Sequence, residues 1–344
     1  MAQINKSSDY FNTKLYTGTG SSQAVTGVGF QPDWLWIKNR GTADENIVFD
    51  SVRGVDKRLL TDGTQSELTT TNHLSSFDSD GFTVPGLSAN TGASSNNYVA
   101  WNWLASNTTA SNTDGSITST VSANTTSGFS IVSWTGSGAN ATIGHSLGAV
   151  PKMIIIRRRT GSTTNWIVYH ESIGNNNELF LNLTNASTSS TRFQSTSPTS
   201  SVFSVSSNSA VNESSQSHIA YCFSEKKGFS KAFSYTGNGS TDGSFCYLGM
   251  KPSFVLLKET GNANNWMIFD NKRSPFNLMD DFISPDISDA ETTGNANNRM
   301  DMLSNGFKTR GTGSATNRSG GTYIGIAFAE NPIVGSNGVP SCAR

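Results

Sequence analysis

The chain has 344 residues, of which only 14% are charged, and its formal net charge is −1. An ordinary globular domain is about 25% charged, whereas this chain is rich in Ser, Thr, Asn and Gly, which favour turns and strand edges. A near-neutral charge gives no electrostatic basis for binding nucleic acid or an anionic membrane, so we expect neither partner.

The N-terminal residues 1–10 are polar, and no run of about 20 apolar residues occurs anywhere in the chain. We therefore expect neither a signal peptide nor membrane insertion, and we expect synthesis in a cytosol.

The first predicted elements follow a pattern that begins at Tyr16-Thr17-Gly18 and continues through a Gly-x-x-Pro step at Gly29 and Pro32. An apolar run, 34–37, leaves the proline and ends at a base, Lys38. Residues 98–103 then alternate large and small side chains with a period of two, which is typical of a strand. Turn signals at 61–63 and 78–81 separate these segments.

The same pattern occurs twice more along the chain. Its second and third copies contain Trp134-Thr135-Gly136 with Gly148 and Pro151, and Tyr235-Thr236-Gly237 with Gly249 and Pro252. A repeat of roughly a hundred residues can bury a core of its own. We place repeat 1 at 8–104, a linker at 105–127, repeat 2 at 128–224, repeat 3 at 228–331 and a C-terminal tail at 332–344.

Many short strands punctuated by turns, without sustained helical periodicity, predict an all-β protein. We expect three tandem antiparallel β-sandwich domains of jelly-roll or lectin-like form. The segment 105–127 is almost wholly Ser, Thr, Asn, Ala and Gly, and it is interpreted either as a flexible tether or as an extended arm packed on a neighbour. Repeats 2 and 3 should lie close together, whereas repeat 1 has room to sit apart.

Residues 144–148 match G-x-S-x-G, the nucleophile elbow of α/β-hydrolases, which requires a strand before the serine and a helix after it. Here Pro151 and a β-rich run follow Ser146, so we expect a turn. The four histidines and three cysteines show no metal-ligand spacing, and 78–81 lacks the later ligands of a calcium loop. We therefore expect no enzyme activity, no cofactor and no metal.

The base that ends each apolar run is Lys38, Arg157 or Lys258, and Asp50 and Asp270 follow on the next apolar segments of repeats 1 and 3. Neighbouring strands predict the cross-strand pairs Lys38–Asp50 and Lys258–Asp270. Repeat 2 departs from this rule because it has three consecutive arginines. We favour a structural role for these bases, and the alternative makes Arg157, Arg158 and Arg159 the candidate contact with an acidic partner surface or a sugar acid.

Aromatic residues recur at one position of the repeats, as Tyr16, Trp134 and Tyr235, and we interpret them as core anchors. Trp166 and Trp266 also match each other, whereas repeat 1 has Asn46 there. A glycan-stacking residue would be an aromatic found in a single copy, and no such residue stands out from the sequence.

Five stretches of the chain (9–13, 29–33, 36–40, 77–82 and 327–332) resemble the repeat family of virion structural or tail-fibre proteins of marine tailed bacteriophages. The resemblance covers nearly the whole chain, and it implies a non-enzymatic virion component assembled in the host bacterial cytoplasm.

The first functional hypothesis is therefore a tail-fibre-type adhesin that contacts a host surface glycan or receptor, with other virion proteins as further partners. The alternative is a decoration or cement protein that stabilises the capsid or tail without binding the host. Virion symmetry suggests a homo-oligomer, with a trimer as the guess. A hydrolase acting on surface polysaccharide is a third, minor hypothesis.

Overall fold

The computed structural model describes residues 4–330, of which 40% lie in strands and 3% in helices, so the chain is all-β as the sequence predicted. The strands form several antiparallel sheets, a large and a small one in each repeat. The short helical turns are a 3₁₀ helix (Ser7–Asp9), α1 (Ser209–Asn212) and α2 (Ser314–Asn317).

Repeat 1 contains β1 (Phe11–Thr17), β2 (Gln23–Thr26), β3 (Trp34–Asn39), β4 (Ile47–Asp50), β5 (Lys57–Leu60), β6 (Leu68–Thr69), β7 (Ser76–Asp78), β8 (Gly81–Val84) and β9 (Asn97–Trp103). The large sheet has the order β1-β9-β3-β4-β5-β6, and the small sheet has the order β2-β8-β7. Every residue of β3 is buried, because β3 lies inside the large sheet and both faces of that sheet are covered.

Repeat 2 contains β12 (Phe129–Thr135), β13 (Ala141–Gly144), β14 (Met153–Arg158), β15 (Ile167–His170), β16 (Asn177–Phe180), β17 (Thr188–Ser189), β18 (Val202–Val205) and β19 (Ser217–Phe223). It is preceded by β10 (Ala110–Asn112) and β11 (Ser119–Asn124). The large sheet has the order β10-β11-β12-β19-β14-β15-β16-β17, and the small sheet pairs β13 with β18.

Repeat 3 contains β20 (Ser230–Thr236), β21 (Phe245–Tyr247), β22 (Pro252–Glu259), β23 (Met267–Asp270), β24 (Met300–Leu303), β25 (Gly306–Thr309) and β26 (Thr322–Ala329). The large sheet has the order β20-β26-β22-β23, and the small sheet has the order β21-β25-β24. The pairing of β22 with β26 corresponds to that of β3 with β9 and of β14 with β19, so the three repeats share one strand arrangement.

The segment 105–127 is not a flexible tether, because β10 and β11 extend the edge of the large sheet of repeat 2. Val121 is buried in the core of that repeat. This arrangement corresponds to the alternative interpretation, an arm packed on a neighbour. Apolar residues at alternate positions of β11 are enough to anchor an otherwise polar strand.

Each repeat has a core of its own between its two sheets, and a fourth core lies where the three repeats meet. Trp34 of repeat 1 is central to this shared core, with its ring centroid 4.4 Å from that of Tyr221 in repeat 2. Phe11 of repeat 1 stacks on Phe328 of repeat 3 at 4.8 Å. The expectation that repeat 1 could sit apart is therefore wrong: the outward face of each large sheet is apolar and needs the other two repeats to cover it.

The three repeats contact one another in a closed ring. The backbone amide of Glu67 donates to Arg159, that of Ser187 to Thr260 and that of Glu291 to Arg40, at 2.8–2.9 Å. These bonds join repeats 1 to 2, 2 to 3 and 3 to 1 at equivalent positions. Head-to-tail contacts of this kind close into a ring when the rotation returns to its start, so the chain forms a pseudo-threefold ring within one polypeptide.

The glycine of each Gly-x-x-Pro step has a positive φ: +94° at Gly29, +62° at Gly148 and +73° at Gly249. Glycine is the residue that adopts this left-handed conformation without steric cost. The motif recurs in the sequence because each copy needs the same turn before its central strand, β3, β14 or β22.

Candidate functional site

The interface between repeats 1 and 2 contains a buried network of charged groups. Arg53 contacts Asp50 (Nε to Oδ2, 2.5 Å) and Glu67 (Nη1 to Oε2, 3.2 Å), and the side chains of Arg53 and Asp50 are fully buried. From repeat 2, the Tyr221 hydroxyl donates to Asp50 Oδ2 at 2.7 Å, and Arg159 donates to both oxygens of Glu67 at 2.8 and 2.9 Å. Burial alone would raise the pKa of Glu67, but Arg159 and Arg53 hold that pKa below its ordinary value.

The interface between repeats 3 and 1 contains the same network at equivalent positions. Arg273 contacts Asp270 at 2.6 Å and Glu291 at 2.8 Å, and both Arg273 and Asp270 are fully buried. From repeat 1, Trp101 Nε1 donates to Asp270 Oδ2 at 3.0 Å, and Arg40 Nε donates to Glu291 at 2.7 Å. Each carboxylate therefore has a guanidinium partner, as buried charges require.

The interface between repeats 2 and 3 replaces the whole network by neutral residues. His170 stands where the other repeats have Asp50 and Asp270, and its Nε2 lies 3.0 Å from the carbonyl oxygen of Gly325. Its backbone neighbour Ser172 donates to Nδ1 at 3.2 Å, so the ring is the neutral tautomer with its proton on Nε2. At the positions of Arg53, Glu67 and Arg159, this interface has Ile173, Ser187 and Thr260.

A third set of equivalent contacts uses the position shared by Asn46, Trp166 and Trp266. Trp166 Nε1 donates to the carbonyl of Leu60, and Trp266 Nε1 donates to that of Phe180, at 2.7 and 2.8 Å. Asn46 Nδ2 donates to the carbonyl of Ile287 at 2.8 Å. Each bond crosses to the preceding repeat in the ring, so these side chains hold repeats together.

The predicted partner-contact residues Arg157, Arg158 and Arg159 lie mostly inside the molecule. Arg157 is buried and donates to the carbonyls of Thr164 and, at 2.5 Å, of Gln65 in repeat 1. Burial and the nearby Arg158 lower the pKa of Arg157 to about 10.

Arg158 is also buried, and it contacts the carbonyls of Ser209 and Ser162. Arg159 belongs to the interface network with Glu67. The guanidinium groups have partners within the chain and two of the three are buried, which fits the favoured structural role better than the alternative of an external contact.

The predicted pairs Lys38–Asp50 and Lys258–Asp270 do not form. The register places Asp50 opposite Trp34, and Asp270 opposite Phe254, four residues before the lysine in each case. Lys38 Nζ instead donates to the carbonyls of Asp44 and, at 2.7 Å, of Ser288. Burial lowers the pKa of Lys38 and of Lys258 to about 8. The sequence located both charges correctly but could not give the hairpin register that separates them.

Ser146 lies in a turn between β13 and β14, and its hydroxyl accepts a hydrogen bond from Asn112 Nδ2 at 2.7 Å. Its φ of +57° is left-handed, but a strand follows the turn, so the strand–turn–helix geometry of a nucleophile elbow is not formed there. The expected hairpin turn at 78–81 is confirmed between β7 and β8. Asp80 in that turn accepts hydrogen bonds from the amides of Gly27 and Gly29.

The four histidines lie apart from one another and are buried. Burial lowers the pKa of His73, His170 and His218 to about 4, and it also lowers the pKa of His145. Within 4–330, no group of three or more His, Cys, Asp or Glu side chains has the geometry of a metal site.

Cys222 and Cys246 are buried free thiols, as the sequence predicted for cysteines in strands. Burial raises the pKa of Cys246 to about 12 and the pKa of Cys222 further. Cys342 and the tail 332–344 lie outside the described residues.

The aromatic residues that recur at one repeat position are core anchors, as predicted. Each stacks on the residue opposite it: Tyr16 on Tyr98, Trp134 on His218 and Tyr235 on Tyr323, with centroids 4.8–5.2 Å apart.

The sequence did not reveal the exposed aromatic pair of repeat 3. Phe245 and Tyr247 on β21 are 45% and 58% exposed, and Lys231 Nζ lies 5.5 Å from the Tyr247 ring centroid. The signal was present as two aromatic residues flanking Cys246. It could be recognised only by aligning β21 with β2 and β13, whose corresponding residues are small or polar.

The part of the chain described by the structure is an all-β protein whose related sheet pairs share a central core and form a ring. A family model described as a domain of unknown function (DUF7483) matches residues 6–332, and the chain belongs to that family. The comparisons with curated proteins and with solved structures gave no match. Among residues 4–330, no helix has the length and apolar character needed to cross a membrane.

Proposed function

We propose that this protein is a non-enzymatic structural component of a bacteriophage virion, of the tail-fibre type, that contacts the host surface. The observation that carries the proposal is the closed pseudo-threefold ring. Its charged groups are paired at the repeat interfaces, where they hold the scaffold together. Such a scaffold presents loops rigidly, which favours a binding or structural role.

The ring also supports multivalent contact. Rotation about an axis preserves direction along that axis, so the corresponding loops of the three repeats emerge at the same end of the ring. The β3–β4 loop (40–46) thus has equivalents at 159–166 and 260–266. Several weak contacts on one rigid body add up to a strong attachment when they engage together.

We further propose that each pair of large and small sheets is a sandwich domain of jelly-roll or lectin-like form. The equivalent residues Phe82, Phe203 and Phe307, buried between the sheets of their repeats, support this interpretation. The partners would then be other virion proteins on one side and a host surface glycan or receptor on the other.

The proposal is tested with the purified protein and with virions of the phage that encodes it. We expect the protein to bind host cells and to reduce infection when added before the phage. The control is heat-denatured protein at the same concentration. Virions that lack the protein and still adsorb at the normal rate would contradict the proposal.

A decoration or cement role is the second candidate, and the pseudo-threefold ring favours it specifically. One chain with three similar faces can contact three equivalent neighbours around a threefold axis of a particle. In that case virions without the protein would adsorb normally but would release DNA more readily after heat or osmotic shock. Unchanged particle stability would exclude this role.

A further inference from the structure

The outer face of the small sheet carries different side chains in repeats 1 and 3, and packing of the core does not require this difference. The register aligns Cys246 of β21 with Val25 of β2, because they face the equivalent residues Phe307 and Phe82. Phe245 and Tyr247 therefore correspond to Ala24 and Thr26 in repeat 1. Repeat 3 thus exposes two aromatic rings where repeat 1 has small side chains.

Along one edge of β21, backbone N–H and C=O groups point away from the small sheet and have no partner within it. The residues that flank β21 show which way its backbone faces: Ser244 accepts from Thr309 and Leu248 donates to Asn305, so Cys246, which lies between them opposite Phe307, also bonds towards β25. In an antiparallel pair the bonding direction alternates, and Phe245 and Tyr247 consequently direct their N–H and C=O groups outward. Within residues 4–330, β25 is the strand that pairs with β21, and the outward edge of β21 has no partner strand.

In repeat 2 the same edge is covered by the chain's own segment 116–119, which forms one isolated parallel bridge there, between Ile117 and Ile143. Thr142 corresponds to Phe245, and its carbonyl accepts from the amide of Ile117 at 3.2 Å while its amide donates to Ser116 Oγ at 2.9 Å. Ser119 Oγ donates to the carbonyl of Gly144, which corresponds to Tyr247, at 2.8 Å. The outward backbone groups of this edge therefore have partners in repeat 2, supplied by the chain's own segment, whereas β21 has no such segment within residues 4–330.

We propose that β21 is an open docking edge that pairs antiparallel with β21 of a second copy of this chain. A twofold axis at Cys246 places Phe245 of one copy opposite Tyr247 of the other, and both residues direct their backbone groups across the junction. Their side chains share one face, so each Phe245 packs beside the Tyr247 of the partner, a favourable cross-strand pair. The two small sheets become one continuous sheet.

The edge is self-complementary in its backbone pattern and in its side chains, and this argues for a second copy over an unrelated chain. Edges without a partner strand are templates for pairing, and proteins usually protect them with charge, proline or a covering loop. Here the two exposed side chains are aromatic. The proposal does not depend on contact with a host, because it concerns self-association alone.

Sedimentation analysis over a wide concentration range tests the proposal. We expect the mean mass to rise from 36.7 kDa towards twice that value. Phe245→Pro should abolish the dimer, because it removes an outward N–H donor at an edge position where proline is otherwise tolerated. The matched control Ala24→Pro, at the equivalent edge of repeat 1, should leave the dimer unchanged.

Two further variants keep the test decisive if the proline variant folds poorly. Phe245→Ser with Tyr247→Ser retains the backbone and should raise the dissociation constant at least tenfold. Disulfide trapping then tests the register in a Cys342→Ser background. A mixture of Phe245→Cys and Tyr247→Cys proteins should cross-link more than either protein alone, because hydrogen-bonded antiparallel partners lie about 5.5 Å apart.

Protein that remains monomeric at every concentration would overturn the proposal. Equal weakening by Phe245→Pro and Ala24→Pro, or cross-linking that does not depend on mixing the two cysteine variants, would also overturn it. Binding of a soluble polysaccharide such as dextran that is lost with the double serine variant, together with a monomeric protein, would assign the aromatic pair to glycan recognition instead.

Discussion

His170 occupies a position that is an aspartate in the other two repeats, and its environment explains the exchange. In repeat 3, Ile326 stands where the donors Tyr221 and Trp101 stand in repeats 2 and 1, so it offers His170 no side-chain donor. In repeat 2 itself, Ile173 stands where repeat 1 has Arg53, so no guanidinium is present at that position. A carboxylate there would be buried without a partner, at a cost of several kcal/mol. A neutral imidazole that donates to the Gly325 carbonyl satisfies the site without any charge.

The stability of the protein should depend on the protonation of His170. Its pKa is lowered by burial from 6.5 to about 4, so between those values the unfolded chain binds a proton that the folded chain does not. The free energy of unfolding should therefore fall as the pH drops from 6.5 to 4, by at most about 3 kcal/mol for this residue. Chemical denaturation of wild type and His170→Gln at pH 7 and pH 4.5 measures the difference, and equal pH dependence in the two proteins would contradict it.

Arg53 is the centre of the buried network between repeats 1 and 2, and its removal should be strongly destabilising. Arg53→Ile leaves Asp50 buried without a cation, whereas Glu67 keeps Arg159, and loss of one partner of a buried ion pair costs about 3–5 kcal/mol. Urea denaturation measures this loss.

The chain supplies its own control for this prediction. The interface between repeats 2 and 3 shows a neutral combination at the same positions, and transferring it requires the substitutions Asp50→His, Arg53→Ile, Glu67→Ser, Arg159→Thr and Tyr221→Ile. This fivefold variant should be more stable than Arg53→Ile alone, because it leaves no unpaired charge. A fivefold variant that is less stable would mean that the two kinds of interface are not equivalent.

At the scale of elements, the segment 105–127 shows how a polar sequence becomes part of a sheet. Its strand β11 pairs with β12 over five residues, and its apolar residues Val121 and Ala123, two positions apart, pack on the core of repeat 2. Asn124 Nδ2 also donates to the carbonyl of Ala105, which fixes the start of the segment. The composition of the segment indicated a linker because it averages over all residues, whereas β11 is held in the sheet by the few apolar residues on one of its faces.

Neighbouring substitutions on β11 test whether it is a structural strand. Val121→Asn should destabilise the protein by about 2–4 kcal/mol, because Val121 is 3% exposed and the amide would be buried without partners. Thr120→Asn, one residue earlier on the exposed face, should change stability by less than about 0.5 kcal/mol. Thermal denaturation of both variants measures the effect, and equal values would show that β11 is not packed in solution.

The whole molecule should unfold as one unit because the shared core joins all three repeats. Trp34, Trp36, Trp101 and Trp103 of repeat 1 lie in that core, and none of them would be covered if the repeat stood alone. The backbone and side-chain bonds around the ring add to this coupling.

Cooperativity can be measured directly. Calorimetry of the full chain should give a single transition, whereas residues 8–104 expressed alone should be insoluble or should bind a hydrophobic dye through the exposed tryptophan face. Tryptophan fluorescence provides a second readout, because the emission of the isolated repeat should be shifted to longer wavelength. A soluble repeat 1 with its own sharp transition would contradict the shared-core model.

The sequence by itself determined the local features of this protein. Its all-β class, glycine turns before the central strands and recurrent aromatic anchors depend on short-range patterns of two to six residues, and its threefold repetition is the recurrence of those patterns about every hundred residues. Such patterns act through backbone conformation and side-chain periodicity, which are properties of a single segment. The turns at Ser146 and at 78–81 were predictable for the same reason.

Only the tertiary structure decided where the charged and aromatic residues lie. Arg157 and Arg158 are polar in any window of sequence, yet Arg157 is buried where repeat 2 meets repeat 1 and Arg158 is buried within repeat 2, and the hairpin register separates Lys38 from Asp50. The exposure of Phe245 and Tyr247 likewise follows from their place on an uncovered edge. Burial and partnership depend on residues far apart in the chain, so they are settled when the three outward apolar faces close on one another and exclude water.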